Sequence, residues 1–340
     1  MRVTVAILGA GSLIGQGLIK ALKLSNLPTR LVALDFFPHA VGLYWADAAH
    51  MLPDVLSPSV GEEDYVQRLI EILRSEGVQV LLIAVDFEVM RLARHRPRIE
   101  AATGCTVVVS SPRVAEIADD KWATAQFLVA HGLPAPRSAI ERSAIDALAR
   151  EVGYPLIVKP RRGARSRGMS EVREPSQLTS ALALAGPDPI AQEAVGTVAT
   201  EYTCGAIILD GACQGTIVMR RDLRDGNTFR AYLDEEPPAE LEALVARTAM
   251  ALQPFGPVNI QLRVGPRGPA IFEMNARFSG TTAIRALVGF NEAEALVRWT
   301  AFGERLPLIR QRSGVVLRYW QEQFVSWEQY RQSGRVAVSA

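Results

Sequence analysis

The chain contains few cysteines, and those it has are scattered. Cys105, Cys204 and Cys213 are odd in number and lie far apart in a chain of 340 residues. This pattern indicates neither a disulfide framework nor a zinc knuckle, and it fits a reducing compartment. We therefore expect a cytoplasmic protein.

Charge excess and long apolar runs are lacking as well. The chain has 37 Lys and Arg residues and 36 Asp and Glu residues. The resulting net charge of +1 does not indicate binding to nucleic acid or to an anionic membrane. The apolar run 80–85 is far too short to cross a bilayer, and residues 1–8 lack the features of a targeting segment. We expect neither nucleic acid nor a membrane among the partners.

Lysine is scarce, because only four of the 37 basic residues are lysines. Lys20 and Lys23 fit the solvated face of a predicted helix. In a chain that uses arginine almost everywhere, a lysine is weak evidence for a site that needs a compact ammonium group rather than a planar guanidinium. Lys121 and Lys159 are the candidates for such sites.

Strands and helices alternate through the first third of the chain. This alternation predicts an α/β domain, a small doubly wound parallel sheet of Rossmann-like type over residues 1–112. The predicted elements are strand 3–8, helix 13–24, strand 31–35, helix 64–76, strand 78–85, helix 88–95, strand 106–109 and helix 112–118.

A glycine-rich turn follows the first strand. Gly9, Gly11, Gly15 and Gly17, with Asp35 further on, invite a dinucleotide-binding interpretation, but the spacing is G-x-G-x-x-x-G rather than G-x-G-x-x-G. A tight turn with close helix packing is the favoured explanation. A dinucleotide-dependent oxidoreductase is the alternative that rests on these glycines.

Two acids follow the strand that ends at residue 85. Asp86 and Glu88 lie at a strand's carboxyl end, where open α/β sheets bind ligands. Acids at this position also cap helices. Substrate binding and helix capping both stay open.

A second domain begins at residues 118–136. Asp119 or Asp120 is expected to cap a helix that Gly132 and Pro134 end. Lys121 lies in the first turn of this helix, which is a common place for a lysine.

An apolar strand ending at Lys159 leads into a basic, glycine-containing loop. Its cations repel one another, so an anion is expected to neutralise them, and glycines let backbone N–H groups approach phosphate. A solvated turn or a nucleic-acid patch is the alternative, although no aromatic residues interleave for base stacking. The loop residues are Arg161, Arg162, Gly163, Arg165, Ser166, Arg167 and Gly168.

Two strands with period-two alternation flank a turn between residues 257 and 280, which predicts a β-hairpin. Pairing places Gln261 opposite Glu273 and Asn259 near Asn275. The alternation puts Phe272 on the apolar face and Ile271 on the polar one. The polar face suits Mg²⁺ and phosphate oxygens, although one face of an antiparallel sheet is often simply wet.

The order of these segments over residues 119–280 resembles the ATP-grasp enzymes, most closely the carbamoyl-phosphate-synthetase-like branch. It runs Asp-Lys, strand lysine, basic glycine loop, a Gln-Glu hinge, Glu before Tyr-Thr, and Gln…Glu-x-Asn-x-Arg. The resemblance implies a two-subdomain ATP-grasp fold of α+β type after the α/β domain. The domains are then 1–112, 113–312 with a lid subdomain at about 120–192, and a strand and helix extension at 313–340.

The resemblance also implies roles for individual residues. The cofactors are ATP and Mg²⁺, with Mn²⁺ as an alternative metal, and the basic loop is a mobile lid. Metal ligands are Gln261, Glu273 and Asn275. Nucleotide contacts are Lys121, Lys159, Gly163, Ser166, Gly168, the backbone of Gln192, Glu193, Ala194 and Val195, and Glu201 for the ribose. The reacting phosphate is met by Arg277, Lys159 and Arg220, with the choice among Arg220, Arg221 and Arg224 left open.

Aromatic residues with helical spacing mark the C-terminal extension. Trp320, Phe324, Trp327 and Tyr330 are expected to pack, either against the body of the chain or against a sister subunit in a homodimer.

The function that the resemblance implies is ATP-dependent ligation of a small-molecule carboxylate to an amine or ammonia through an acyl phosphate. No Ser/His/Asp signature is present, and no general base can be named. A regulator that binds nucleotide or metabolite without turnover is the alternative from another class. Release of ADP with both substrates distinguishes the ligase from the regulator and from the oxidoreductase.

Overall fold

The computed structural model describes residues 2–163, 167–236, 238–305 and 308–332. In these ranges the chain forms three sheets: five strands, four strands and six strands. No helix in the described ranges is long and apolar enough to cross a membrane. Ser166 and Arg165 lie outside the described residues.

The N-terminal domain is a five-stranded parallel sheet in the order β3-β2-β1-β4-β5. Helix α1 covers one face with the help of later helices, and α2 and α3 cover the other. This confirms the doubly wound prediction. The elements are β1 (Val3–Leu8), α1 (Leu13–Leu24), β2 (Thr29–Asp35), β3 (Ala48–Met51), α2 (Glu62–Ser75), β4 (Val80–Ile83), α3 (Asp86–Thr103), β5 (Thr106–Val108) and α4 (Pro112–Asp119).

The glycine turn after β1 is closed by the chain itself. The carboxylate of Asp35 accepts hydrogen bonds from the backbone N–H groups of Gly11 (2.8 Å) and Phe37 (2.9 Å). A Cβ at Gly15 would lie 2.3 Å from the carbonyl oxygen of Gly9. The tight turn and the close approach of α1 therefore require glycine at Gly9, Gly11 and Gly15.

A four-stranded antiparallel sheet follows, in the order β6-β9-β7-β8. Its helices α6 and α7 pack on it to form a small separate core. Asp120, not Asp119, caps α5 by accepting from the N–H groups of Trp122 and Ala123. The elements are α5 (Lys121–Ala130), β6 (Ser138–Ala139), α6 (Arg142–Val152), β7 (Leu156–Pro160), β8 (Ser170–Val172), α7 (Leu178–Ala185) and β9 (Pro189–Glu193).

The largest sheet is antiparallel, in the order β14-β13-β10-β11-β12-β15. Helix α8 packs on one face, while the other face joins α9, α10 and α1 in the largest core of the chain. The elements are β10 (Glu201–Leu209), β11 (Ala212–Arg224), β12 (Asn227–Leu233), α8 (Ala239–Leu252), β13 (Gly256–Gly265), β14 (Gly268–Asn275), α9 (Thr282–Leu287), α10 (Glu292–Phe302), β15 (Gly314–Leu317) and α11 (Trp327–Gln332).

The aromatic residues of the C-terminal segment do not form one helical stripe. Trp320 and Phe324 precede α11 and are 91% and 86% exposed, so the helical spacing predicted for them is wrong. Trp327 is also exposed. Tyr330 alone packs on the body of the chain, where its hydroxyl lies 2.5 Å from Nε2 of His39.

Candidate active site

A cavity of about 920 Å³ lies where the N-terminal sheet, the basic loop and the largest sheet meet. The residues that follow β1 and β4 form one wall, at the position where the chain order of the parallel sheet reverses. Open α/β sheets bind ligands at this point. The polar face of the β13–β14 hairpin forms the opposite wall.

The hairpin pairs as the sequence predicts. Gln261 lies opposite Glu273, and Asn259 lies opposite Asn275. Glu273 is the centre of a hydrogen-bond network, because its Oε1 accepts from Nε2 of Gln261 (3.1 Å) and from Nδ2 of Asn275 (3.0 Å). Arg277 donates to Oδ1 of Asn275 (3.1 Å). One carboxylate and two amides therefore face the cavity together.

A β-bulge between Gln261 and Leu262 corrects one part of the predicted hairpin. The register shift pairs Leu262 with Ile271, and Ile271 packs in the same core as Met274. Ile271 is therefore not on the polar face. Phe272 is the extra residue of the bulge, and its ring lies against the cation of Lys159 instead of in the core.

Lys159 is the next-to-last residue of β7, beside this hairpin, and is almost fully buried. Its Nζ lies 5.3 Å from the ring centre of Phe272. Burial lowers the pKa of Lys159 from 10.5 to about 8, and the negative charge of Glu273 opposes this shift in part. A buried ammonium without a full set of partners is a candidate for binding an anion.

Lys121 holds the beginning of the basic loop. Its Nζ donates to the carbonyl oxygens of Gly163 (2.9 Å) and Arg161 (3.3 Å). Arg161 in turn forms an ion pair with the buried carboxylate of Asp120. Gly168 lies at the far end of the loop with φ of 68°, where a Cβ would approach the ring of Pro160 to 3.1 Å.

The predicted adenine-binding segment runs along the end of β9. Gln192 is buried and donates to Oγ of Ser138 (3.0 Å), while Glu193 forms an ion pair with Arg267. The N–H of Ala194 donates to the carbonyl of Pro155 (3.4 Å). The segment continues at Val195, which packs beside residue 265 of β13.

Glu201 is buried between two arginines at the beginning of β10. Its Oε1 accepts from Nη2 of Arg221 (2.6 Å), and its Oε2 lies 2.7 Å from Nη2 of Arg263. The same Nη2 of Arg221 donates to Oε1 of Gln261 (2.6 Å). Arg221 thus joins the predicted ribose acid to the polar face of the hairpin.

The structure places Arg221, and not Arg220, at the cavity. Arg220 lies on the opposite face of β11, where its guanidinium stacks on the ring of Tyr232 at 4.2 Å. Arg224 lies 5.4 Å from the ring of Phe229. Of the three arginines, Arg221 is the one that lines the cavity, which corrects the choice of Arg220.

Asp86 and Glu88 have different environments, and neither caps α3, whose N-cap residue is Val85. Asp86 lines the cavity and forms an ion pair with Arg277. Glu88 points into the N-terminal domain and accepts from the hydroxyl of Tyr65 (2.5 Å). Burial raises the pKa of Glu88 from 4.5 to about 7.

Arg318, which follows β15, also lines the cavity and was not predicted. Its guanidinium donates to the carbonyl oxygens of Thr228 (2.7 Å) and Gly280 (2.6 Å). Burial lowers its pKa, and no carboxylate among the described residues forms an ion pair with it. Arg318 lies outside the segments that carried the family resemblance, so no motif pointed to it.

Comparison with known proteins assigns both parts of the chain. The ATP-grasp domain family matches residues 118–281, and the PylC-like N-terminal domain family matches residues 5–108. The first of these ranges agrees closely with residues 119–280, whose motifs carried the resemblance.

Among curated proteins, a D-alanine–D-alanine ligase from Azoarcus sp. (strain BH72) is 30% identical in an alignment of length 233, which covers 62% of this chain and 74% of that protein. The carbamoyl phosphate synthase large chain of Pseudothermotoga lettingae is 23% identical in an alignment of length 349, which covers 92% of this chain and 30% of that protein. Other D-alanine–D-alanine ligases are matched over 26% to 52% of their own length.

Solved structures share the fold at low sequence identity. N5-Carboxyaminoimidazole synthetase from Staphylococcus aureus, complexed with ADP, has a TM-score of 0.71 at 14% identity, covering 93% of this chain and 82% of that one. The biotin carboxylase domain of Hydrogenobacter thermophilus 2-oxoglutarate carboxylase, solved with MgADP and bicarbonate, has a TM-score of 0.66 at 19% identity, covering 89% and 70%.

The sequence matches indicate the same family as the fold does. The fold consists of a doubly wound first domain followed by an antiparallel sheet with a polar hairpin. The chain covers 74% of a relative to which it is 30% identical, and most of its length after the first domain matches one family. The chain therefore belongs to the ATP-grasp family of ligases.

Proposed function

We propose that the protein joins a small-molecule carboxylate to an amine or ammonia, with conversion of ATP to ADP and phosphate. The observation that carries this proposal is the shared cavity. Glu273, Asn275 and Arg277 on the hairpin face Asp86 at the carboxyl end of a parallel strand across one space. Phosphate-binding chemistry and a substrate-binding position thus lie within reach of each other.

The nucleotide is proposed to bind between the two antiparallel sheets. Lys159 offers an ammonium group to its phosphates, and Glu201 accepts from its ribose hydroxyls. Residues 192–195 offer backbone groups to adenine. Glu201 already forms ion pairs with Arg221 and Arg263. These arginines would therefore have to share its carboxylate oxygens with the ribose or release them.

The hairpin residues fit a hard divalent cation. Glu273 supplies a carboxylate, and Gln261 and Asn275 supply amide oxygens, which are the donors that Mg²⁺ takes in proteins. In the described ranges no three His, Cys, Asp or Glu side chains converge on one point, and we propose that phosphate oxygens and water would complete the coordination. The metal would neutralise phosphate charge, and Mn²⁺ is a proposed substitute for Mg²⁺.

The reaction requires two transfers. A carboxylate oxygen of the substrate attacks the terminal phosphorus of ATP, the bond to the bridging oxygen breaks, and ADP leaves with an acyl phosphate remaining. The amine then attacks the acyl carbon, phosphate leaves, and the amine loses one proton. Arg277 and Lys159 are proposed to stabilise the charge on the transferring phosphoryl group, since such reactions depend on positioning and charge neutralisation.

Arg318 is proposed to bind the substrate carboxylate. It is held by two backbone carbonyls and has no acidic partner among the described residues, so its remaining N–H donors suit a carboxylate. Arg318→Lys keeps the charge but removes the planar fork, and should raise KM for the carboxylate while the dissociation constant of a non-hydrolysable ATP analogue is unchanged.

The proposal is tested by measuring ADP and phosphate release with pairs of carboxylate and amine. A ligase releases ADP only with both substrates, whereas a regulator of this fold binds ATP without turnover.

The exposed residues Trp320, Phe324 and Trp327 support a further proposal, a homodimer formed through this segment. Sedimentation velocity of the whole chain tests it, with Trp320→Ser expected to give the monomer.

A further inference from the structure

The substrate end of the cavity has two chemically different sides. Towards the largest sheet it is cationic, with Arg221, Arg277 and Arg318 on its wall. Towards the N-terminal domain the side chains are apolar: Leu13, Ile14, Leu56, Phe87, Val89 and Met90. A ligand that spans the cavity meets guanidinium groups at one end and hydrocarbon at the other.

The apolar wall is open to the cavity rather than hidden in the core. Leu56 is 60% exposed and Phe87 is 45% exposed, although each lies beside buried residues of the N-terminal domain. Large apolar side chains exposed within a concave site are typical of surfaces that a ligand covers.

The few polar groups on this wall already have partners. Ser12 donates to the carbonyl of Ala84 (3.0 Å), Asp86 pairs with Arg277, and Asp119 lies 3.4 Å from Arg162. Glu88 is turned into the domain core. None of these groups, within the described ranges, is left to compensate a charged side chain of a substrate.

We propose that the carboxylate substrate carries an apolar side chain that packs on this wall while its carboxylate faces the arginines. This inference rests on the proposed ligase function and adds the class of substrate to it. A charged side chain of equal size would lose its water at the wall without gaining a partner, so it would be excluded.

The test compares amino acids of similar size and different polarity. ADP release is measured with MgATP, ammonium or glycine as the amine, and leucine, methionine or phenylalanine as the carboxylate. Asparagine, aspartate and glutamate form the second set. We expect kcat/KM to be at least roughly tenfold higher for the apolar amino acids than for the second set. This is the discrimination that one or two methylene groups provide in an apolar pocket.

The two proposals fail in different ways. ADP release with aspartate or glutamate at rates equal to those with leucine would overturn the apolar substrate and leave the ligase intact. Binding of the ATP analogue without ADP release from any pair would overturn the ligase itself.

A matched pair of variants locates the effect. Leu56→Asp places a charge on the wall at an exposed position and should lower kcat/KM for apolar substrates roughly tenfold or more, with unchanged affinity for the ATP analogue. Leu24→Asp makes the same change at a leucine that is 54% exposed outside the cavity, and it should change neither quantity. Equal effects of the two variants on kcat/KM would contradict binding of the substrate side chain to the apolar wall.

A second inference comes from an independent observation at Asn259. Its Oδ1 accepts two hydrogen bonds, from Nη2 of Arg285 (2.6 Å) and from Oγ1 of Thr203 (3.0 Å). Asn259 is 2% exposed and lines the cavity. No described residue accepts a hydrogen bond from its Nδ2, so the two N–H bonds of the amide are left for the cavity.

The orientation of this amide is fixed from behind. Arg285 is fully buried and pairs with Glu292, which also accepts from Oγ1 of Thr282 (2.8 Å). A Cβ on residue 205 would lie 2.4 Å from Nη1 of Arg285, so glycine makes room for the guanidinium. Arg285 cannot accept a hydrogen bond, and therefore the amide cannot turn over without loss of this contact.

The geometry assigns to Asn259 the role of a fixed donor to an oxygen of the transferring phosphoryl group or of the acyl phosphate. Asn259 lies opposite Asn275 in the hairpin, and it lines the same cavity as Glu273 and Arg277. A neutral donor held in place before the reaction needs no reorganisation when charge develops on the acceptor oxygen. Thr203 and Arg285 are positioning residues for it.

Steady-state kinetics separate this role from a structural one. Asn259→Ala should lower kcat roughly 100-fold, the cost of removing one such donor, with KM for ATP changed little. Thr203→Val removes one of the two bonds that orient the amide and should lower kcat, while Thr203→Ser keeps the hydroxyl and should retain it. Wild-type kcat in Asn259→Ala, or equal losses in both Thr203 variants, would overturn the assignment.

Discussion

The ammonium group of Lys159 lies 5.3 Å from the centre of the Phe272 ring, and no hydrogen bond joins its Nζ to any of the described residues. The β-bulge in the hairpin brings the ring to this position, because Phe272 is the residue without a partner across the strands. The ring attracts a cation only weakly compared with a paired anion. Lys159 is therefore buried with its charge only partly compensated, in a place where a phosphate would complete it.

Replacement of Lys159 tests this arrangement. Lys159→Met should weaken binding of a non-hydrolysable ATP analogue by roughly 1.5 to 3 kcal/mol, the range for a hydrogen bond to a charged group. The stability of the protein without nucleotide should be equal or higher, since a poorly compensated charge is removed. Lys159→Arg should restore binding poorly because a planar fork does not replace a compact ammonium. Titration calorimetry measures the affinities of both variants, and urea unfolding measures the stability of Lys159→Met. Wild-type affinity in Lys159→Met would show that this buried lysine does not bind the phosphates.

The pH dependence of nucleotide binding offers a separate test. The folded-state pKa of Lys159 is about 8, below its ordinary value of 10.5, so folding disfavours the ammonium form. Bound phosphates favour that form. Affinity for the ATP analogue should therefore fall as pH rises above 8, gradually at first and then by up to about tenfold per unit. Lys159→Arg stays charged and should show no such decline, and a parallel decline in this variant would assign the effect to another group.

The raised pKa of Glu88 predicts that the stability of the folded protein falls as pH rises. Its folded-state pKa is about 7, above the ordinary 4.5, so the folded protein favours the protonated acid. The stabilisation from protonated Glu88 is fully present below pH 4.5 and is lost as pH rises from about 4.5 to about 7, at up to about 1.4 kcal/mol per unit. Glu88→Gln, which cannot ionise, should be more stable than the wild type at pH 8 and no more stable at pH 4. Urea unfolding at both pH values measures the difference.

The polar face of the hairpin could be predicted from sequence because its determinants are local. Two strands with period-two alternation and a short turn fix which residues lie opposite each other, and Gln261 and Asn259 pair as expected. The bulge could not be predicted, because Ile271 and Phe272 are both apolar and either can occupy the core.

The arginines of the site show what local pattern cannot determine. In β11 the residues on both faces before the arginines are apolar, with Ile217 and Met219 on one side and Val218 on the other. Alternation therefore gives no sign that Arg221 rather than Arg220 faces the cavity. Arg318 reaches the site from the last strand of the sheet, and only the tertiary fold brings that strand there.

Substitution of Glu273 by glutamine tests the central claim most directly. Glu273 accepts from the amides of Gln261 and Asn275 and supplies the only carboxylate of the hairpin face, so Glu273→Gln removes the charge that a divalent cation needs and keeps the shape. The variant should release no ADP with substrates that the wild type turns over, and its melting temperature should lie within a few degrees of the wild-type value. Undiminished ADP release in this variant, at any Mg²⁺ concentration, would contradict the assignment of the hairpin as the metal and phosphate site.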